Sequence, residues 1–305
     1  MIYEKKIVFY LSKKILKKKN SNREKEKGIT KTGSWKCMLF ESAVISHIGC
    51  KRENNEDNYY LNGVYKQNIQ KEIAQFAEPQ ASRNILAGVF DGAGGAAYGE
   101  WAALMAVVSL AKYQEELSSK RIVNEYIPYV NELIIKEVNK MGGKMGTTLA
   151  MLYLNGDTAN VYNLGDSRVY LFRKKRLMQI TYDHIQEQLL QKKIVYSTEG
   201  IQQEKIQHIE EKHLLTKYLG MKNRKELKPY FMEQIPIMKH DIFVVCTDGL
   251  YNMVSKDTMC KCLEKRKKEA PLDIARTMAG EALLAGGKDN VTCIVIKAEN
   301  LEESK

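Results

Sequence analysis

The chain has 305 residues, 44% hydrophobic and 28% charged, the balance of a folded, water-soluble protein with room for a substantial core. Of its formal net charge of +11, residues 1–36 hold twelve Lys or Arg against three Glu, so only +2 remains for the other 269. So small a balance argues against nucleic-acid binding by the folded part, whose usual footprint is a basic face. Six cysteines without a CxxC pair point to a reducing, cytoplasmic setting, and no apolar run reaches the roughly 18 residues of a transmembrane segment.

Residues 1–37 form a basic extension. Tyr3, Ile7, Leu11 and Ile15 recur at four-residue spacing among lysines, a weak amphipathic helix, before a polar stretch that reads as disordered. A solvated tail, or sequence upstream of a start at Met38, is preferred here over a membrane-surface or partner-docking arm.

The folded unit is expected over residues 38–300. Phe40 to Gly49 reads as the first strand, with RENNEDN (52–58) in the loop after it and a second strand beginning at Tyr59. The polar stretch from Gln67 to Asn84, which holds Pro79, reads as an insertion or long hairpin connection. Ile85 to Phe90 is a buried strand that stops at Asp91-Gly92, and helices follow over Tyr98–Leu117 and Ile122–Met141.

From Gly146 the pattern becomes a meander. Asn155-Gly156 marks one hairpin and the lysines near 174 another, and short turns of this kind join antiparallel strands, which excludes a doubly wound parallel sheet. Residues 183–221 are polar and Gln-rich, and read as a helical flap. Strands resume at Lys228–Ile237 and Asp241–Thr247, helices at Ser255–Lys265 and Leu272–Leu284, and a last strand at Asn290–Lys297.

Asp-Gly at the end of a strand is by itself only a turn signal. Here four segments offer a carboxylate at a strand edge: RENNEDN (52–58), VFDGAGG (89–95), CTDGL (246–250) and GGKDNVT (286–292). Carboxylates gathered in one place repel one another unless hard divalent cations sit among their oxygens.

With GTT (146–148), NLGDSRVYL (163–171) and LTKYLG (215–220), these blocks resemble, in family order, the type 2C metal-dependent protein serine/threonine phosphatases, particularly the compact bacterial form. The resemblance spans about residues 42–298. It implies an α+β fold, a sandwich of two antiparallel sheets flanked by helices, with the metals in a cleft at one end. It further implies Asp91 as a carboxylate bridging two Mn2+ or Mg2+ ions, the Gly92 carbonyl on one of them, and Asp248 and Asp289 as ligands of the partner ion. Glu56 and Asp57 match an acidic pair that holds metal directly or through water. Asp166 matches a third, weaker metal position, or else is a turn carboxylate that caps a hairpin. Arg52 matches the phosphate-binding arginine, whose fork suits phosphate oxygens.

The implied activity is hydrolysis of phosphoserine and phosphothreonine on proteins by water activated between two metals, opposing a serine/threonine kinase. Ala93 stands where some eukaryotic relatives carry a histidine as candidate general acid, so the proton donor to the leaving group is unassigned. His184, which matches the family's T-x-DH segment, is read as structural. Two other functions remain open: a silent phosphatase fold acting as a regulatory binding module, and a phosphatase of an anti-sigma-antagonist protein.

Overall fold

A computed structural model describes residues 38–67, 74–93, 98–113, 118, 121–186 and 214–300. The expected extension over 1–37 and the centre of the expected flap, residues 187–213, lie outside the described residues.

Two six-stranded antiparallel sheets face each other. In chain order the strands are β1 (Met38–His47), β2 (Asn58–Leu61), β3 (Val64–Tyr65), β4 (Ala74–Ser82), β5 (Asn84–Phe90), β6 (Gly92–Ala93) and β7 (Gly146–Thr147). They continue with β8 (Leu149–Asn155), β9 (Thr158–Leu164), β10 (Arg168–Arg173), β11 (Arg176–Gln179), β12 (Tyr230–Pro236), β13 (Ile242–Cys246) and β14 (Val291–Asn300). One sheet has the order β11-β10-β13-β14-β1-β4 and the other β12-β9-β8-β5-β2-β3, while β6 and β7 pair separately.

Side-chain alternation along the strands builds three apolar layers. On β5, Ile85, Ala87 and Val89 face the other sheet, where they meet Phe243, Val245, Ile294 and Ile296. Leu86 and Phe90 turn the opposite way, under helices α1 (Gly99–Leu110) and α2 (Ile127–Met141). On β13, Val244 and Cys246 turn outward under α4 (Lys256–Arg266) and α5 (Pro271–Leu284), against Met259, Leu263, Ile274 and Met278. The helix–sheet–sheet–helix order matches the sequence expectation.

Two local readings are corrected. The polar stretch 67–84 is not a plain connection, because it contains β4, which pairs with β1. An edge strand needs no apolar alternation, and its Pro79 falls where the register shifts between Ser42/Gln80 and Val44/Ala77, a place where a missing N–H is tolerated. The helix expected from Ile122 begins as a π-turn over Ile122–Tyr126 and becomes regular only at Ile127, with Pro128 in its first turn.

Candidate active site

The strand ends bring every residue singled out above to one end of the sandwich. β1 finishes at His47 opposite Val291, β2 starts at Asn58 opposite Phe90, and β10 starts at Arg168 opposite Cys246. Arg52, Glu56 and Asp57 therefore lie in the β1–β2 loop and Asp91 follows β5. Asp166 sits in the β9–β10 turn, Asp248 opens the short helix α3 (Asp248–Tyr251) after β13, and Asp289 precedes β14.

The carboxylates feel one another. Burial pushes Asp91 well above the usual carboxylate range, and Asp57, Asp248, Asp166 and Asp289 add repulsion. Asp248 is raised by burial and then by Asp289. Asp57, fully buried, is raised to about 7 by desolvation although the Thr292 and Thr247 hydroxyls donate to its Oδ2 at 2.7 and 2.8 Å. Asp166 is raised to about 7 by burial, then by Asp248 and Asp183, and Glu56 upward by burial and then by Glu100.

Among the described residues no three acidic, His or Cys side chains close into a preformed cation cage. Aspartates gathered so that they repel one another fit a cation-binding centre: a divalent ion would relieve the repulsion, and oxygen donors suit a hard one.

Backbone shape sets how close these groups come. A Cβ on Gly92 would overlap the Gly99 carbonyl and stand 2.7 Å from the Glu56 carbonyl oxygen, so only glycine fits. Asp91 is held through its backbone. Its N–H donates to Thr148 Oγ1 at 3.0 Å, and its carbonyl accepts from the Thr148 N–H at 2.9 Å and from Thr147 Oγ1 at 3.0 Å.

Arg52, half-exposed, donates from Nη2 to Asp289 Oδ2 at 2.7 Å, and this hydrogen bond raises its already high pKa. The only cation proposed for phosphate thus touches one of the proposed metal ligands.

Several supporting residues escaped the sequence reading. Asn290 Nδ2 donates to the carbonyls of Ile48 (2.8 Å) and Asn54 (2.9 Å), while its Oδ1 accepts from the Glu56 N–H at 2.8 Å, so one side chain shapes the whole β1–β2 loop. Buried Lys66 donates to the Asn55 carbonyl at 2.6 Å beside the acidic pair. Within the KDN triplet the sequence signals only the Asp; for Lys66 it carries no signal. His184 has the structural role expected: its N–H donates to the Gly165 carbonyl at 2.9 Å and its Nδ1 accepts from the Gly165 N–H at 3.2 Å.

Comparison with known proteins bears on the family and the fold. The family described as Protein phosphatase 2C matches residues 45–291. The serine/threonine phosphatase stp of Listeria monocytogenes is 28% identical over 267 residues, covering 83% of this chain and 94% of that protein. Protein phosphatase PhpP of Streptococcus pneumoniae is 27% identical over 267 residues, covering 84% and 97%. Among solved structures, the Mycobacterium tuberculosis serine/threonine phosphatase PstP/Ppp superposes with a TM-score of 0.66 at 26% identity, covering 86% and 99%. The PstP catalytic domain in complex with two manganese ions gives 0.65 at 26% identity, covering 86% and 99%. The chain belongs to the protein phosphatase 2C family.

Proposed function

We infer that the chain is a metal-dependent protein serine/threonine phosphatase that hydrolyses phosphoserine and phosphothreonine monoesters. The observation that carries this reading is the convergence of Asp57, Asp91, Asp166, Asp248 and Asp289 at one sandwich end beside Arg52. Two divalent cations held there supply Lewis acidity and an activated water at neutral pH. Asp91 would serve both ions, with the Gly92 carbonyl beside it; Asp248 and Asp289 would hold the partner ion, and Glu56 and Asp57 would hold metal directly or through water. Asp166 offers a third, weaker position.

Arg52 is exposed enough to leave Asp289 and fork onto phosphate oxygens, orienting the monoester and offsetting charge as the bond to the leaving oxygen breaks. All-oxygen donors suit Mn2+ and Mg2+ alike, and the two manganese ions of the PstP structure support the first. It acts in the cytoplasm on phosphoproteins, opposing a serine/threonine kinase. Among the described residues no helix is long and apolar enough to cross a membrane. The complete donor set tells against a silent binding module.

The test is phosphate release from a phosphothreonine peptide by the purified chain in EDTA, then Mn2+, then Mg2+, beside Asp91→Asn. Metal-dependent release lost in the variant is expected. No release with either metal, or an active variant after chelation and reloading, overturns the assignment.

A further inference from the structure

Asp166 occupies a turn, the softest kind of backbone, yet its carboxylate is crowded by Asp248 and Asp183. Like charges on a loose turn should drift apart. The structure shows what stops them.

Tyr251 lies three residues after Asp248 on α3, hence on the same helix face. Its hydroxyl donates to the Asp166 carbonyl at 3.0 Å. Its ring lies over the Arg168 guanidinium, 3.5 Å from centroid to carbon, a cation–π contact within the half-buried wall of the site. Arg168 in turn forks onto buried Asp183, Nη2 to Oδ2 at 2.6 Å and Nε to Oδ2 and Oδ1 at 3.0 and 3.2 Å, while its Nη1 donates to the Tyr170 hydroxyl at 2.9 Å. Gln179 Nε2 donates to Asp183 Oδ1 at 2.7 Å, so Asp183 is held from two directions. The result is a column, Asp183–Arg168–Tyr251–Asp166, with His184 clamping Gly165 from the other side.

We propose that Tyr251 is a positioning residue for Asp166. Its phenol-to-carbonyl hydrogen bond fixes the Asp166 turn against the helix that carries Asp248, and the Arg168–Asp183 fork holds the ring in place. The proposal rests on the reading of Asp166 as a weak cation ligand. A turn held at a set distance from Asp248 presents its carboxylate to an incoming cation; a turn free to retreat must first be drawn back.

Tyr251→Phe tests it, because the ring and its contact with Arg168 are kept and only the hydroxyl is lost. In EDTA, amide exchange at Asp166 and Ser167 is expected to quicken about tenfold in the full chain, with Tm changed by no more than about 2 °C. By calorimetry, tight Mn2+ binding is unchanged. The Mn2+ concentration for half-maximal turnover rises about five- to tenfold, and excess Mn2+ restores kcat. The double variant Tyr251→Phe/Asp166→Asn is no worse than Asp166→Asn alone.

Unchanged exchange and an unchanged Mn2+ midpoint overturn the proposal, as does a fall in kcat that excess Mn2+ does not rescue. Should Asp166→Asn itself leave the Mn2+ midpoint where it was, the assignment of Asp166 fails instead, and the exchange result still decides whether Tyr251 holds the turn.

Discussion

Gly92 and Gly99 stand back to back at the mouth of the site. A methyl group on Gly99 would lie 2.8 Å from the Gly92 carbonyl and 2.6 Å from Glu56 Oε2, and one on Gly92 would overlap Gly99 in return. The start of α1 is thus pressed directly onto the backbone that follows Asp91. Gly99→Ala is expected to cost about 3 kcal/mol by overpacking and to abolish turnover by displacing both Gly92 and Glu56. Chemical denaturation and a phosphopeptide assay check the two effects, and a stable, active Gly99→Ala protein would show that this contact is slack.

Asn290 supports the β1–β2 loop with three hydrogen bonds. At about 1 kcal/mol each, Asn290→Ala should destabilise the fold by roughly 3 kcal/mol, lowering Tm by about 6–12 °C. Asn290→Asp keeps the acceptor for the Glu56 N–H but loses both donors and adds a charge beside Asp289, so it should fare no better. Thermal unfolding of the two variants ranks them.

Stability of the metal-free protein should depend on pH in a particular direction. Folding raises Asp57 and Asp166 to about 7, whereas an unfolded Asp titrates near ~3.9. Between these values the folded chain binds more protons than the unfolded one, so this contribution is full below about pH 4 and is lost as pH rises through about 7. In EDTA, Tm should fall by at least about 4 °C from pH 5 to pH 8, with a shallower slope for Asp166→Asn. Saturating Mn2+ should flatten both. A flat profile in EDTA would mean that burial does not raise these two carboxylates.

Arg52 separates charge from shape. Arg52→Lys retains the cation but not the fork, and should lower kcat/KM by at least tenfold, about 1.4 kcal/mol, with Arg52→Ala losing more. Because Asp289 is also freed of its partner, Mn2+ affinity measured by calorimetry should rise slightly in Arg52→Ala. Steady-state kinetics with a phosphopeptide resolves the two variants.

The residues that announced themselves in the sequence did so through chemistry that few other roles require. A carboxylate followed by glycine at the end of an apolar strand, repeated at 91 and 248, has little reason to exist without something for the oxygens to hold, and continuous apolar runs such as Ile85–Phe90 located the strands that bear them. β4 was missed because half of an edge strand's surroundings are solvent, which leaves no alternation to read. Asn290, Thr247 and Thr292 were missed for another reason. Their partners lie far along the chain, as Thr292 and Asp57 do at a separation of 235 residues, and a hydrogen bond over that distance leaves no local pattern. Arg168 was in plain view within GDSR, but its fork to Asp183 and its place beneath Tyr251 needed three dimensions.

The place of β14, between β13 and β1 in the middle of its sheet, bears on how the protein is made. Arg52 leaves the ribosome 237 residues ahead of Asp289, a lag of roughly 12–50 s at ordinary elongation rates. Throughout that interval β1 has no β14 to pair with, Asn290 is not there to shape the Arg52 loop, and Asp57 lacks Thr292. A nascent phosphatase is therefore inert by construction, and its first chance to act on a phosphoprotein comes only after Asp289 to Thr292 have emerged and β14 has joined its sheet.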